Sequence, residues 1–474
     1  MVFNSLTFLL FFVVFINLYW LISRKLSLQF RNIFILLSSY LFYGWWDWRF
    51  LGLIIISTGA DYLIGMRIGK VKSVSTRKSL LALSIFINLG ILGFFKYFNF
   101  FIDSLNELLL LFSAPISTGT LNIILPVGIS FYTFQSMSYT IDIFRNKIQP
   151  TRDPFAFFAF VAFFPQLVAG PIERAGHLLP QFLKQHSFSY SRSVSGLQLV
   201  LWGLFKKIVI ADNFGVLVEQ LFDPAQPASA IATLAGGLFF TLQIYADFSG
   251  YSDIAIGIAR MLGFDLMQNF RTPFFSASLQ EFWQRWHISL STWFRDYVYI
   301  PLGGSHSGQI RFGINILITF LLSGLWHGAA VTFLIWGALH GVFYLVERPI
   351  RGERFRFLRI LITFILVCLF FIPFRTETTT QLLQMTSALF ETNRWGPELL
   401  IKSITSFSST RFITLMVVTL FFGMIEWRLQ LNDFSSWIAK HNKPVRLFTY
   451  YALLLLILLL GNFDVKPNFI YFQF

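Results

Sequence analysis

The chain has 474 residues, 55% of them hydrophobic and 13% charged, with 60 phenylalanines. Apolar runs of about 20 residues, the length that crosses a ~30 Å hydrocarbon core, recur from end to end, which specifies an all-α polytopic membrane protein. The runs are continuously apolar and not alternating, so a β-barrel is excluded, and the net charge of +14 lies in short basic segments between runs, the pattern of membrane orientation and not of nucleic-acid binding.

Reading lysine and arginine as cytoplasmic lays the chain out in order. Span one (3–22) lands on "SRKLSLQFR", with Arg24 and Lys25 after it, so it is a span and not a cleaved leader, and the N-terminus lies outside. Spans two (31–46) and three (50–66) bracket "WWDW" and return to "MRIGKVKSVSTRK". Spans four (79–99) and five (121–143) lead to "RNKIQPTRD". Residues 155–171 are apolar but hold Pro165, Gly170 and Pro171, and are expected as a re-entrant or broken helix packed inside protein. Spans six (194–213), seven (231–249), eight (312–326), nine (329–346), ten (357–373), eleven (410–428) and twelve (446–461) complete a single domain of about 11–12 spans over 1–474, with residues 462–474 outside. Cys368 is the sole cysteine and sits inside an apolar run, which rules out a disulfide or a thiol-based metal cluster.

Polar chemistry inside these apolar runs marks function. "FFPQLVAGPIERAGHLLPQF" places Glu173 and Arg174 after a Gly-Pro break, expected as a salt-bridged hinge. "YADFSGYSDIAIGIAR" places Asp247 and Asp253 between glycines, where either holds a helix in register or orients a histidine. In "SLQEFWQRWHISLSTWFRDYVYIPLGG" the residues Leu279, Phe282, Trp283, Trp286, Leu290, Trp293, Phe294 and Tyr297 recur at spacings of three and four. The pattern predicts an amphipathic helix over 279–297 at the cytoplasmic interface, with Gln280, Gln284, His287, Ser291 and Arg295 on its other face. Such a helix either anchors to headgroups or offers Trp286 and Arg295 to a bulky, anionic, partly apolar donor such as a coenzyme A thioester. In "GINILITFLLSGLWHGAAVTFLIWGALHG" the polar residues Asn315, Thr319, Ser323 and His327 lie four apart, one stripe of a helix. His327, between Trp326 and Gly328, is the leading catalytic candidate, supported by Ser323 and Asn315. His340 beside Gly341 is expected as a packing residue that hydrogen-bonds a neighbouring helix. Phosphate-loop, G-x-S-x-G and H-E-x-x-H motifs are missing, against an ATPase, a common serine hydrolase and a zinc protease; no metal site is expected.

These four quoted motifs, in this order, resemble the signatures of the membrane-bound O-acyltransferase superfamily, in its bacterial alginate O-acetylation branch. The likeness covers about 1–350 and the tail, while residues 374–409 match nothing in it. The resemblance implies a ring of transmembrane helices around a thinned centre, a tunnel from cytoplasmic donor to external acceptor, His327 as catalytic histidine and His287 as the second essential one. It further implies an acyl-CoA donor, with acetyl-CoA expected and no bound cofactor. The setting would be a bacterial inner (cytoplasmic) membrane, where membrane lipids surround the chain and an extracytoplasmic, SGNH-like acetyltransferase partner acts on a polysaccharide. Aromatic C-terminal motifs in the family are linked to carrying the acyl group outward, which makes Tyr471 in "KPNFIYFQF" an acyl relay. Two alternatives stay open here: the tail as an interfacial aromatic anchor, and the whole protein as a glycan or lipid transporter without covalent transfer. Against the transporter stands the lack of repeat halves.

Overall fold

Helices start where the sequence supplies caps and stop where it supplies charge. Ser5 Oγ accepts the Phe8 N–H at 3.1 Å to open the first helix, which ends on Arg24 and Lys25. Asn442 caps the last long helix through Val445 N–H, with Pro444 in the first turn where its missing N–H costs nothing. The computed structural model describes residues 1–112, 120–306, 308–348, 355–430, 432–463 and 469–470, and every regular element among them is helical. Two compact units divide the chain, Met1–Val194 with Ile258–Met267, and Ser195–Gly257 with Gln268–Phe474.

In the first unit α1 (Leu6–Lys25), α2 (Leu28–Asp47), α3 (Leu51–Lys70), α4 (Val74–Leu92) and α5 (Phe98–Leu111) are followed by α6 (Ile129–Phe144) and the short α7 (Pro154–Ala162), α8 (Phe164–Leu167) and α9 (Ala175–Phe182). Leu6, Leu9, Leu10, Val13 and Val14 of α1 are exposed, a face suited to lipid. The stretch expected as span five differs: Pro126 and the left-handed Gly128 hold its first part out of a helix, and α6 has only 16 residues. Because 14 of those 16 are buried, α6 is a core helix, which is why it tolerates Ser, Thr and Gln along its length. Its Thr140 joins a polar cluster in which Ser84 and Asn88 of α4 donate to the buried carboxylate of Asp61 on α3, at 2.6 and 2.8 Å. Residues 154–167 form the broken pair α7 and α8, interrupted at Phe163 and buried from Ala159 onward.

The second unit continues from α10 (Tyr190–Phe205) through a π-helical turn at Lys206–Ala211 into α11 (Asp212–Leu221), then the 32-residue α12 (Ala230–Met261). Where α10 crosses α12 the backbones nearly touch, since a Cβ on Gly250 would stand 2.8 Å from the Gly203 carbonyl oxygen. Short α13 (Leu279–Arg285) and α14 (Ile288–Phe294) precede the hairpin of α15 (Gln309–His327) and α16 (Val331–Glu347), against which α17 (Arg356–Arg375) packs. The remaining helices are α18 (Thr379–Ala388), α19 (Glu398–Phe407), α20 (Ser409–Leu429), α21 (Phe434–Ile438) and α22 (Lys443–Leu460). Nine helical runs among the described residues are long and apolar enough to cross a membrane, one of them (Leu28–Lys70) holding both α2 and α3. The protein is a multi-pass, all-α membrane protein.

Candidate active site

The site grows from a kink and a hairpin. Residues 279–297, expected as one helix, are two short ones, because His287 takes the left-handed conformation (φ 42°) between α13 and α14. A branched or bulky residue there is strained by about 1–3 kcal/mol and persists only when its surroundings hold it. Asn269 supplies that hold. Its carbonyl accepts the Ile288 N–H at 2.9 Å, its Oδ1 accepts the Ser289 hydroxyl at 2.7 Å and main-chain N–H at 3.3 Å, and its Nδ2 donates to Ser252 on α12 at 3.3 Å. The break carries one residue of the predicted polar face inward: His287 is fully buried, as are most of the aromatic stripe residues, while Gln280, Gln284 and Arg295 stay exposed. Burial pushes its imidazole down to about 3, so His287 is neutral at neutral pH.

The hairpin delivers the second histidine. A Cβ on Gly324 would overlap the Phe333 carbonyl and one on Gly337 the Phe320 carbonyl, so small residues let α15 and α16 approach closely. His327, 3% exposed, ends α15. Its ring lies 6.3 Å from that of His287, with Trp326 against both at 5.0 Å from His327 and 5.9 Å from His287. Trp336 and Phe374 close the other sides of His327, at 5.1 and 5.2 Å. A cavity of about 420 Å³ in this unit is lined by Trp283, Gln284, Arg295, Phe320 and Ser323, among others. Ser323 stands one helical turn, about 6 Å of rise, before His327.

The remaining expected residues divide. Ser323 and Arg295 face the cavity, and the Arg295 guanidinium also pairs with Asp296 at 2.8 Å. Trp286 does not line it; its ring is packed among Phe270, Phe282, Phe371 and Tyr245. Trp283, which the sequence reading placed only in the apolar stripe, is the tryptophan that lines the cavity. Asn315 donates to the Gly304 carbonyl at 3.1 Å, three turns from His327, and so anchors the loop before α15 without supporting that histidine directly. Among the described residues Asp247 pairs with Lys207 and accepts the Ile470 N–H, and bonds no histidine, while the adjacent Phe248 ring lies 4.6 Å from His287. Asp253 pairs with Lys206 at 2.6 Å. At the hinge expected in this motif, Glu173 meets His177 at 2.7 Å, one turn on along the chain. His340 makes no helix-to-helix hydrogen bond among the described residues, and its ring is boxed by Trp283, Trp336 and Phe370 at 4.9–5.1 Å. Tyr471 lies outside the described residues. Among those residues no cluster of histidine, cysteine or carboxylate could hold a metal ion. Sequence reasoning missed Asn269, whose only signal was a polar residue next to "FRTPFF", just ahead of the aromatic stripe.

The fold and site define a polytopic helical membrane protein with two buried histidines close to a cavity that neither of them lines. The chain belongs to the membrane-bound O-acyltransferase family, whose model matches residues 147–376. It is 40% identical over 457 residues to the probable alginate O-acetylase AlgI of Pseudomonas syringae pv. tomato, covering 94% of this chain and 86% of the relative. To the protein of that name from Azotobacter vinelandii it is 41% identical, covering 91% and 86%. The peptidoglycan O-acetyltransferase of Helicobacter pylori is 34% identical over 77% of this chain and 74% of its own length. The chain is therefore an O-acyltransferase, which displaces the transporter alternative.

Proposed function

We propose that the protein moves an acetyl group from cytosolic acetyl-CoA across a bacterial inner membrane, for O-acetylation of an extracytoplasmic polysaccharide through an SGNH-like partner. The observation that carries this reading is the buried His287–His327 pair, 6.3 Å apart, with a cavity reaching to within one turn of His327. Supporting it, the relatives are enzymes of alginate and of peptidoglycan O-acetylation, both glycans outside the cytoplasm. In this reading the acyl donor occupies the cavity, its anionic part near Arg295 and its thioester toward His327. His327 takes the proton of an arriving hydroxyl, the oxygen attacks the thioester carbonyl, the C–S bond breaks, and the departing thiolate takes that proton back. A thioester is reactive enough that a positioned base, worth ~10²–10⁴-fold, suffices with orientation. Neutral His287 holds the carbonyl or the hydroxyl in place. Tyr471 is the hydroxyl that receives the acetyl group and passes it outward to the partner enzyme. Vesicles supplied with labelled acetyl-CoA test this: label should reach an external acceptor, and His327→Ala should lower that transfer about 10²-fold or more. Retention of more than about a tenth of the rate would remove His327 from the mechanism.

A further inference from the structure

The π-helical turn at Lys206–Ala211 is unexplained by the chemistry above. Such a turn frees main-chain carbonyls from their usual partners and recurs at functional sites. Here the segment after α22 uses them. The Asn462 N–H donates to the Ile208 carbonyl at 3.4 Å. Asn213 Nδ2 bridges the Val209 and Leu460 carbonyls at 2.8 and 2.9 Å.

The same turn points two consecutive lysines inward. Lys206 pairs with Asp253, while the Lys207 ammonium stands 2.7 Å from Asp212 and 2.7 Å from Asp247. Among the described residues, then, one buried ammonium faces the partly exposed Asp212 and the buried Asp247, and a carboxylate removed from water needs further donors. Asp247 receives one from beyond α22: the Ile470 N–H donates to its Oδ2 at 2.7 Å. Charge assistance makes such a bond about twice as strong as a neutral one. The contact continues in the neighbouring residue, because the Phe469 ring packs on Tyr251 at 4.7 Å and on Phe248 at 5.9 Å. Phe248 in turn stands edge-on to His287 at 4.6 Å. Phe469 and Ile470 are 2% and 4% exposed.

We propose that Asp247, fixed by Lys207, is a latch that seats Phe469 and Ile470 on α12 beside His287, and so is a positioning residue for acyl transfer. The link to transfer rests on the reading that Tyr471, the next residue, receives the acetyl group; the latch itself does not. Seating the segment satisfies the carboxylate, and releasing it strands one oxygen.

The test uses the full chain in membranes, with Cys368→Ser, Tyr251→Cys and Phe469→Cys, treated with a short bismaleimide. Cross-linking should be efficient with Asp247 present. It should fall about tenfold with Asp247→Leu, the loss expected for one charge-assisted hydrogen bond, and by less with Asp247→Asn, which keeps an acceptor oxygen. Both variants leave Lys207 paired one-to-one with Asp212, so neither strands a buried ammonium and both should insert and fold. Polymer acetylation should fall with cross-linking in Asp247→Leu and return once the tether is closed, a recovery that general destabilisation would not give. Tyr471→Phe should leave cross-linking unchanged. Equal cross-linking in Asp247→Leu and the parent would overturn the latch. Reduced cross-linking with full acetylation would leave the latch standing and overturn the relay reading instead.

Discussion

Asn269→Ala is the change that best tests whether the kink at His287 is held from outside. The substitution removes the acceptor for the Ser289 hydroxyl and N–H and the donor to Ser252, while the main-chain bond to Ile288 remains. The Ser252 link, at 3.3 Å, is the weak one; the Ser289 hydroxyl at 2.7 Å is the strong one. At about 1 kcal/mol net for each good hydrogen bond, and more for a buried donor left without a partner, the loss is about 2–4 kcal/mol. That exceeds the ~1–3 kcal/mol stored in a left-handed histidine, so the strain is free to relax and the His287 ring to leave its place against His327. Displacement of a positioning group by about 1 Å costs ~10²-fold in rate. The assay is acetyl transfer in vesicles beside thermal unfolding of the purified protein in detergent. Asn269→Ala should lower transfer by about 10²-fold while the protein still inserts, and Ser252→Ala, which removes only the weak link, should cost less than about 1 kcal/mol and little rate. If Asn269→Ala transfers acetyl within about twofold of the parent, the kink is not held by this residue and the reasoning fails.

Two further outcomes are expected. His287 has a folded pKa of about 3 against ~6.5 unfolded, so between these values the unfolded state binds the extra proton and stability must fall as pH falls; at pH 5 the loss is about 2 kcal/mol. Thermal midpoints at pH 7 and pH 5 should differ less in His287→Asn than in the parent, and an identical difference would show that His287 does not titrate this way. Gly337→Val should cost about 2 kcal/mol or more and loosen the α15–α16 hairpin, because its side chain meets the Phe320 carbonyl. Gly423→Ala on α20, where nothing lies within 4 Å of an added Cβ, should be neutral or slightly stabilising in the same melting assay.

The sequence by itself determined the class of protein. Runs of about 20 apolar residues leave the backbone no way to satisfy itself except as helices, so the long spans were legible from hydropathy and the basic segments between them, whereas the stretches read as spans five and nine hold the shorter α6 and α16. A histidine closing a polar stripe in an apolar run stood out for the same reason, since burying such a group has to be compensated. What periodicity along one segment cannot register is a partner elsewhere in the chain. The pattern in 279–297 is that of a continuous amphipathic helix, and only Asn269, reaching in from a preceding loop, decides that it breaks at His287 and buries that one histidine of its polar face. The same holds for α6, whose apolar run reads as a span until neighbours enclose 14 of its 16 residues. Asp247 could equally have served a helix or a histidine on sequence grounds. Its partners come from residues 40 positions earlier and 223 later, and a contact at that separation is fixed by tertiary packing alone.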